Sequence, residues 1–348
     1  MSSERIFDFS GLPTMVGSLP HKDPEAACSL VAKYLPQLPA WPQLPHRTQR
    51  ENMYFQCSEG FPGLITHGDR IYVGRSQDLE PAIEQFYDIY LKQELDKIAI
   101  SREYAEGLYS FAGRKWENAI CVKGQITGPV TWGMVITDEK QRPIIYDDTL
   151  ADVIGKHICL KAAWMQRMLR QVSDNTIIIL DEPYMTSVGS AFFSISPEHV
   201  VTLLDQALAG LDTGYKGLHC CGNTDWSLML KSSLDILSFD AYNYGYTISL
   251  YPDEVSAFLQ RGGVLAWGIV GRDESILEKE NANSILDRLI DEMSRLEIKG
   301  VTRHQILNQC LLTPSCGLEP VSEDAAAWAL ELLAEVSTKF RQKYLKER

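Results

Sequence analysis

Short apolar runs, rich in β-branched residues and closed by glycine or polar stretches, recur along this chain. The clearest are 14–17, 119–124, 176–180, 215–218, 236–239, 263–267 and 306–312. Continuous apolar runs of this length are what strands buried on both faces require. Between them, apolar residues recur at helical spacing over 150–172, 197–210, 276–296 and 322–345, which predicts helices with one buried stripe. Ser322, followed by Glu323 and Asp324, predicts the start of the last helix. A hydroxyl cap and an acidic first turn satisfy free N–H groups there.

Alternation of strand and helix predicts a parallel α/β fold. The seven runs, with 40–44 as the candidate eighth, predict a (β/α)8 TIM barrel, read as a single catalytic barrel over 1–348. A doubly wound sheet is the alternative. It is disfavoured because Gly11 and Gly17 do not form a GxGxxG loop after the first run. The segment 47–109 is too long for an ordinary connection. It holds a possible hairpin around 67–73 and a long helix from about Leu79, and reads as an insertion over the C-terminal mouth.

Charge and composition narrow the function. A net charge of −13 argues against a nucleic-acid partner, which calls for a basic face. The 45% hydrophobic content suffices for a full core. No apolar run approaches the roughly 20 residues of a membrane span, and the start, MSSERIFDFS, lacks the apolar segment of a secretory signal. A cytoplasmic protein is expected. In that compartment the eight cysteines, Cys28, Cys57, Cys121, Cys159, Cys220, Cys221, Cys310 and Cys316, do not suggest a disulfide framework. Most should be small buried apolar residues.

The exceptions are suggested by where the apolar runs end. His219 and Cys221, in Gly217-Leu218-His219-Cys220-Cys221-Gly222, are two residues apart on an extended chain, so both face one way. They suit one zinc ion; they equally suit a buried histidine beside structural cysteines. Cys316, in Thr313-Pro314-Ser315-Cys316-Gly317-Leu318, follows the last run, at the end of the barrel where active sites are built. Asp240 ends another run, as a fourth ligand or as the cap of the next helix. Asp181, in Leu180-Asp181-Glu182-Pro183, suits a substrate ammonium or a nearby arginine. Gly17 permits close backbone approach, Ser18 can bond a carboxylate, and Glu51 belongs to a segment presenting acidic and amide groups.

Taken together, Gly17-Ser18, Thr127-Gly128-Pro129-Val130-Thr131, Asp181-Glu182-Pro183, His219-x-Cys221, Asp240 and Cys316-Gly317-Leu318 resemble the catalytic barrel of the cobalamin-independent methionine synthase family. In length the chain resembles the family's short, core forms. The resemblance implies a methyltransferase in which zinc is held by His219, Cys221 and Cys316. Asp240 stands where the family has a ligand glutamate. L-homocysteine would be the substrate, its thiolate the nucleophile, with Gly17, Ser18, Asp181 and Glu51 around its amino-acid part. Related coenzyme M methyltransferases and uroporphyrinogen decarboxylases share the barrel and are the alternatives. The departures bear on the methyl donor. Ser187 replaces a folate-contacting glutamate, and Val135 the family's tryptophan, with Trp132 nearby. No histidine lies between His219 and His304, where the family keeps a proton donor. These departures imply methylcobalamin, or a methylated corrinoid protein as partner.

Overall fold

The structure is a computed structural model describing residues 9–345 except 69, 77, 191 and 192; most of the stretch read for a secretory signal lies outside these. Six of the seven apolar runs overlap strands of one parallel sheet; the first, 14–17, lies just beyond the two-residue strand that occupies Leu12–Pro13. In chain order the strands are β1 (Leu12–Pro13), β2 (Leu64–His67), β3 (Arg70–Val73), β4 (Val122–Thr127), β5 (Thr137–Asp138), β6 (Thr176–Asp181), β7 (Tyr215–Cys220), β8 (Ile236–Phe239), β9 (Val264–Val270) and β10 (Cys310–Pro314). Seven of them form the sheet, ordered β1-β10-β9-β8-β7-β6-β4, with every pairing parallel.

The segment anticipated as the eighth strand closes this sheet into a barrel. Trp41 N–H donates to the Lys123 carbonyl (3.2 Å), and Lys123 N–H to that of Pro39 (2.9 Å). On its other side Gln43 N–H donates to Gly17 O (3.1 Å), and Leu19 N–H to Gln43 O (3.0 Å). These are isolated bridges, Ala40 with Lys123 and Ser18 with Gln43, because Pro39, Pro42 and Pro45 withhold ladder donors. The architecture is a (β/α)8 barrel.

Side chains alternate along each strand, and the alternation divides the apolar residues into two clusters. Leu12, Cys121, Ile177, Ile179, Tyr215, Ile236, Val264, Ala266 and Leu311 fill the barrel interior with Phe9 and Leu38. Ile178, Leu180, Leu218, Leu237, Leu265 and Leu312 face the surrounding helices. The interior parity carries upward to the mouth, so Ile177 and Ile179 are followed by Asp181, Tyr215 and Gly217 by His219, and Ile236 by Ser238.

Two expected elements divide. The run 306–312 is interrupted by Asn308 and Gln309; its first half joins the helix Arg303–Asn308, and β10 starts at Cys310. The Gln309 side chain donates to the carbonyls of Leu259 and Gly263, both at 2.7 Å, which pins that break. The helix over 276–296 splits into Glu274–Leu277 and Ala282–Ile298, because Asn281 and Ser284 form a capping box that starts a new helix. Ser322 caps Glu323–Tyr344 as expected, accepting from Ala325 N–H.

Within 47–109, β2 and β3 form an antiparallel hairpin and Leu79–Lys92 is the long helix. β3 pairs with β5, which lies beyond this segment. The hairpin is thus tied to the loop after β4, an attachment the sequence pattern did not indicate. No helix among the described residues is long and apolar enough to cross a membrane.

Candidate metal centre

β6 and β7 pair with Asp181 opposite His219, and β7 and β8 pair with His219 opposite Ser238. Ser238 Oγ lies 2.9 Å from His219 Nδ1. That contact fixes the ring and leaves Nε2 facing away; Nε2 is buried and has no hydrogen-bond partner. A buried ring nitrogen without a partner is costly, unless it is a ligand atom.

Cys316 is brought to the same place by an irregularity in the last strand. The β9–β10 register shifts between Thr313 and Pro314, and Ser315 N–H donates to Val270 O at 2.8 Å. Gly268 permits this approach, since a Cβ there would lie 2.5 Å from Phe239 O and 2.9 Å from Ser315 Cα. The ligand atoms of His219, Cys221 and Cys316 all fall within 4.8 Å of one another. Six cysteines are buried, and the two partly accessible ones are Cys221 and Cys316. The hydrogen bond from Cys316, with His219 and Arg272 nearby, holds the Cys221 thiol far below its usual range. Donating that bond, along with burial, pushes Cys316 up. One imidazole and two thiols at this spacing are a zinc-type donor set with room for a further ligand.

Asp240 is outside this group. It is the cap of the helix Ala241–Ile248: one oxygen accepts Asn243 N–H (2.9 Å) and the other the Asn243 amide (2.7 Å). These are the contacts of the helix cap.

The three ligand-type residues open onto a cleft of about 150 Å³ lined also by Val16, Ser18, Gln43, Glu51, Asn52, Met53, Asp181 and Glu319. The start of the 47–109 segment thereby lies against the barrel mouth. Gly17 is beside the cleft; a Cβ there would meet the Gln125 side chain at 2.5 Å. Asp181 and Glu182 diverge by strand alternation. Glu182 points outward and accepts Val130 N–H (2.9 Å) and Thr131 N–H (2.7 Å), serving the first turn of the helix Pro129–Val135. Asp181 faces the cleft, and its Oδ1 is buried without a donor. Glu51 binds Arg47 through Oε1, while its buried Oε2 lacks a partner. Burial pushes the Glu51 carboxyl up to about 7 against the opposing pull of Arg47. Asp181 is pushed up too, mainly by burial, while His219 and Lys123 oppose the shift.

Several neighbours escaped the sequence reading. Ser238 and Lys123 sit inside apolar strands, where interior parity was the only available clue. Lys123 is buried and donates to Val16 O (2.6 Å) and Gln125 Oε1 (3.1 Å). Glu319, just past the Cys316-Gly317-Leu318 stretch, was not singled out. Trp132, weighed as a donor contact, is a fully buried core residue whose indole N–H donates to Tyr54 O at 2.9 Å.

No family model matches the chain, and neither does any curated protein. Solved structures do. A putative vitamin-B12 independent methionine synthase from Listeria monocytogenes is 13% identical, with 91% of this chain and 85% of that one covered and a TM-score of 0.57. A methyltransferase from Methanosarcina mazei is 14% identical, with 96% and 94% covered and a TM-score of 0.53. A B12-independent methionine synthase from Shewanella sp. W3-18-1, in complex with selenomethionine, is 22% identical over 64% of this chain, with a TM-score of 0.48. The chain spans 63% of that protein. The likeness is one of fold.

Proposed function

We propose that this protein is a cytoplasmic, zinc-dependent methyltransferase. It would transfer a methyl group from a methylcorrinoid, either methylcobalamin or a corrinoid protein, to the thiol of L-homocysteine, giving methionine. One observation carries this reading. His219 Nε2 and the sulfurs of Cys221 and Cys316 converge on the same small cleft that holds the unpartnered carboxylate oxygens of Asp181 and Glu51. A soft-metal donor set beside two orphaned buried acceptors suits a substrate that is a thiol at one end and an ammonium at the other. The names of two neighbours, a methyltransferase and a putative methionine synthase, accord with it.

The donor set fits zinc, which when bound supplies a Lewis acid that favours the thiolate form of the substrate at neutral pH. The residues do the positioning. Ser238 holds the His219 ring. Asp181 and Glu51 receive the substrate ammonium, whose charge draws both carboxyls back to the ionised form. Lys123, buried nearby, favours the Asp181 anion. With the head group fixed, the thiol is directed toward the His219–Cys221–Cys316 end, where its sulfur attacks the donor methyl in line. Coenzyme M, with a sulfonate and no amine, and a tetrapyrrole with several carboxylates would both be repelled by these acids.

The test is Asp181→Asn, assayed for methionine formation from homocysteine. Zinc content should be unchanged. The Michaelis constant should rise, or turnover fall, by about tenfold to a hundredfold, the effect of losing a charged hydrogen-bond partner. Equal kinetics in variant and wild type, with homocysteine and with its desamino analogue, would make Asp181 structural.

A further inference from the structure

The cleft contains a third carboxylate that the ammonium site just described does not use. Glu319 lines it together with Glu51 and Asp181. Its Oε2 accepts the Ser18 hydroxyl at 2.5 Å. This pair lies against Gly317, next to Cys316: a Cβ on Gly317 would come within 2.0 Å of Ser18 Oγ and 2.6 Å of Glu319 Oε2. Gly317 therefore makes room for the pair beside the metal centre. Among the described residues Ser18 is the hydrogen-bond partner of Glu319, and no ion pair neutralises it.

The charge balance of the cleft follows. Arg47 offsets Glu51, and Lys123 lies near enough to act on Asp181. Glu319 has no such partner. Acids crowded into a small volume do not by themselves make a site, but here Glu51 Oε2 and Asp181 Oδ1 are buried, unpartnered and part of the same wall. An ammonium supplies three donors, and three carboxylates line the one cleft. With its proton committed to Glu319, Ser18 has none to offer a substrate carboxylate, and Glu319 would repel such a group.

We propose that Glu319 is a specificity-determining residue of the acceptor site: its carboxylate, held by the Ser18 hydroxyl, is the third acceptor for the substrate ammonium. Ser18 is then a positioning residue, not the donor to a substrate carboxylate that its hydroxyl suggested in the sequence. This inference rests on the acceptor reading given above.

The experiment measures binding without a methyl donor, so it does not depend on the donor assignment. The zinc-loaded full chain is titrated with homocysteine, with decarboxylated homocysteine, which keeps only the amine, and with desamino homocysteine, which keeps only the carboxylate. Wild type, Glu319→Gln and Ser18→Ala are compared after zinc contents are shown to match. Glu319→Gln should weaken both amine-bearing thiols by about tenfold or more and leave the desamino thiol unchanged or tighter. Ser18→Ala should shift the three thiols in the same direction by a smaller factor. Tighter homocysteine binding by Glu319→Gln would overturn the proposal, as would equal weakening of all three. So would a Ser18→Ala defect confined to the two carboxylate-bearing thiols. If wild type binds none of the three, the acceptor reading fails and takes this inference with it; if wild type binds them but the variants do not discriminate, only the inference fails.

Discussion

Cys221→Ser and Cys316→Ser should each lose most of the bound zinc, while Cys220→Ser keeps it. All three changes replace sulfur by oxygen within a short stretch of the fold, so differences among them report on placement. Cys221 and Cys316 lie with His219 in the ligand cluster. Cys220 has the opposite strand parity, sits in the core facing the helices, and contacts Gly222 O at 3.6 Å. A serine hydroxyl is a poor substitute for a thiolate on zinc. Removing an outer partner of a metal ligand typically costs 10–100-fold in affinity, the expectation for Ser238→Ala, and loss of a direct ligand should cost more. Metal analysis after dialysis against a weak chelator gives the readout. Full zinc in both Cys221→Ser and Cys316→Ser would remove the site.

The barrel was legible because its strands are buried on both faces and read as apolar runs. The contributions that closed it were also visible, since 40–44 has the composition of a strand even though prolines reduce it to bridges. The strand–helix division at Gln309 was not visible. It depends on two carbonyls some fifty residues away in chain order, at Leu259 and Gly263. The candidate site was legible where chemistry coincides with a strand end, as for Asp181, His219 and Cys221. Asp240 was ambiguous because a ligand and a helix cap occupy the same sequence position, and Asn243 decides its contacts in the structure. Glu319 gave no local signal. Its meaning comes from Ser18, 301 residues earlier in the chain.

The donor should be a methylcorrinoid, with methyltetrahydrofolate slower by at least the 10²–10⁴-fold that a positioned acid contributes. A methyl group on a folate amine leaves with its electron pair on nitrogen and needs a proton there. A methyl group on a corrinoid leaves cobalt(I), which needs none. Cys220–Arg303 contains no histidine, and His219 is the one histidine among the described residues lining the cleft. Gly268, in β9, has no space for a side chain; its Cβ position is 2.5 Å from Phe239 O. Methionine is quantified from matched anaerobic reactions with methylcobalamin and with mono- or polyglutamylated methyltetrahydrofolate, and cobalt(I) is followed by absorbance. A faster folate reaction would mean that another group supplies the proton, and the donor assignment would be wrong.

As proposed, His219, Cys221 and Cys316 would form a metal centre that takes the substrate sulfur. X-ray absorption at the zinc edge measures this directly on the intact protein, before and after homocysteine is added. Two sulfur neighbours are expected, from Cys221 and Cys316, rising to three at about 2.3 Å with homocysteine and remaining at two with homoserine, its oxygen analogue. A sulfur count that stays at two when homocysteine is bound would contradict it.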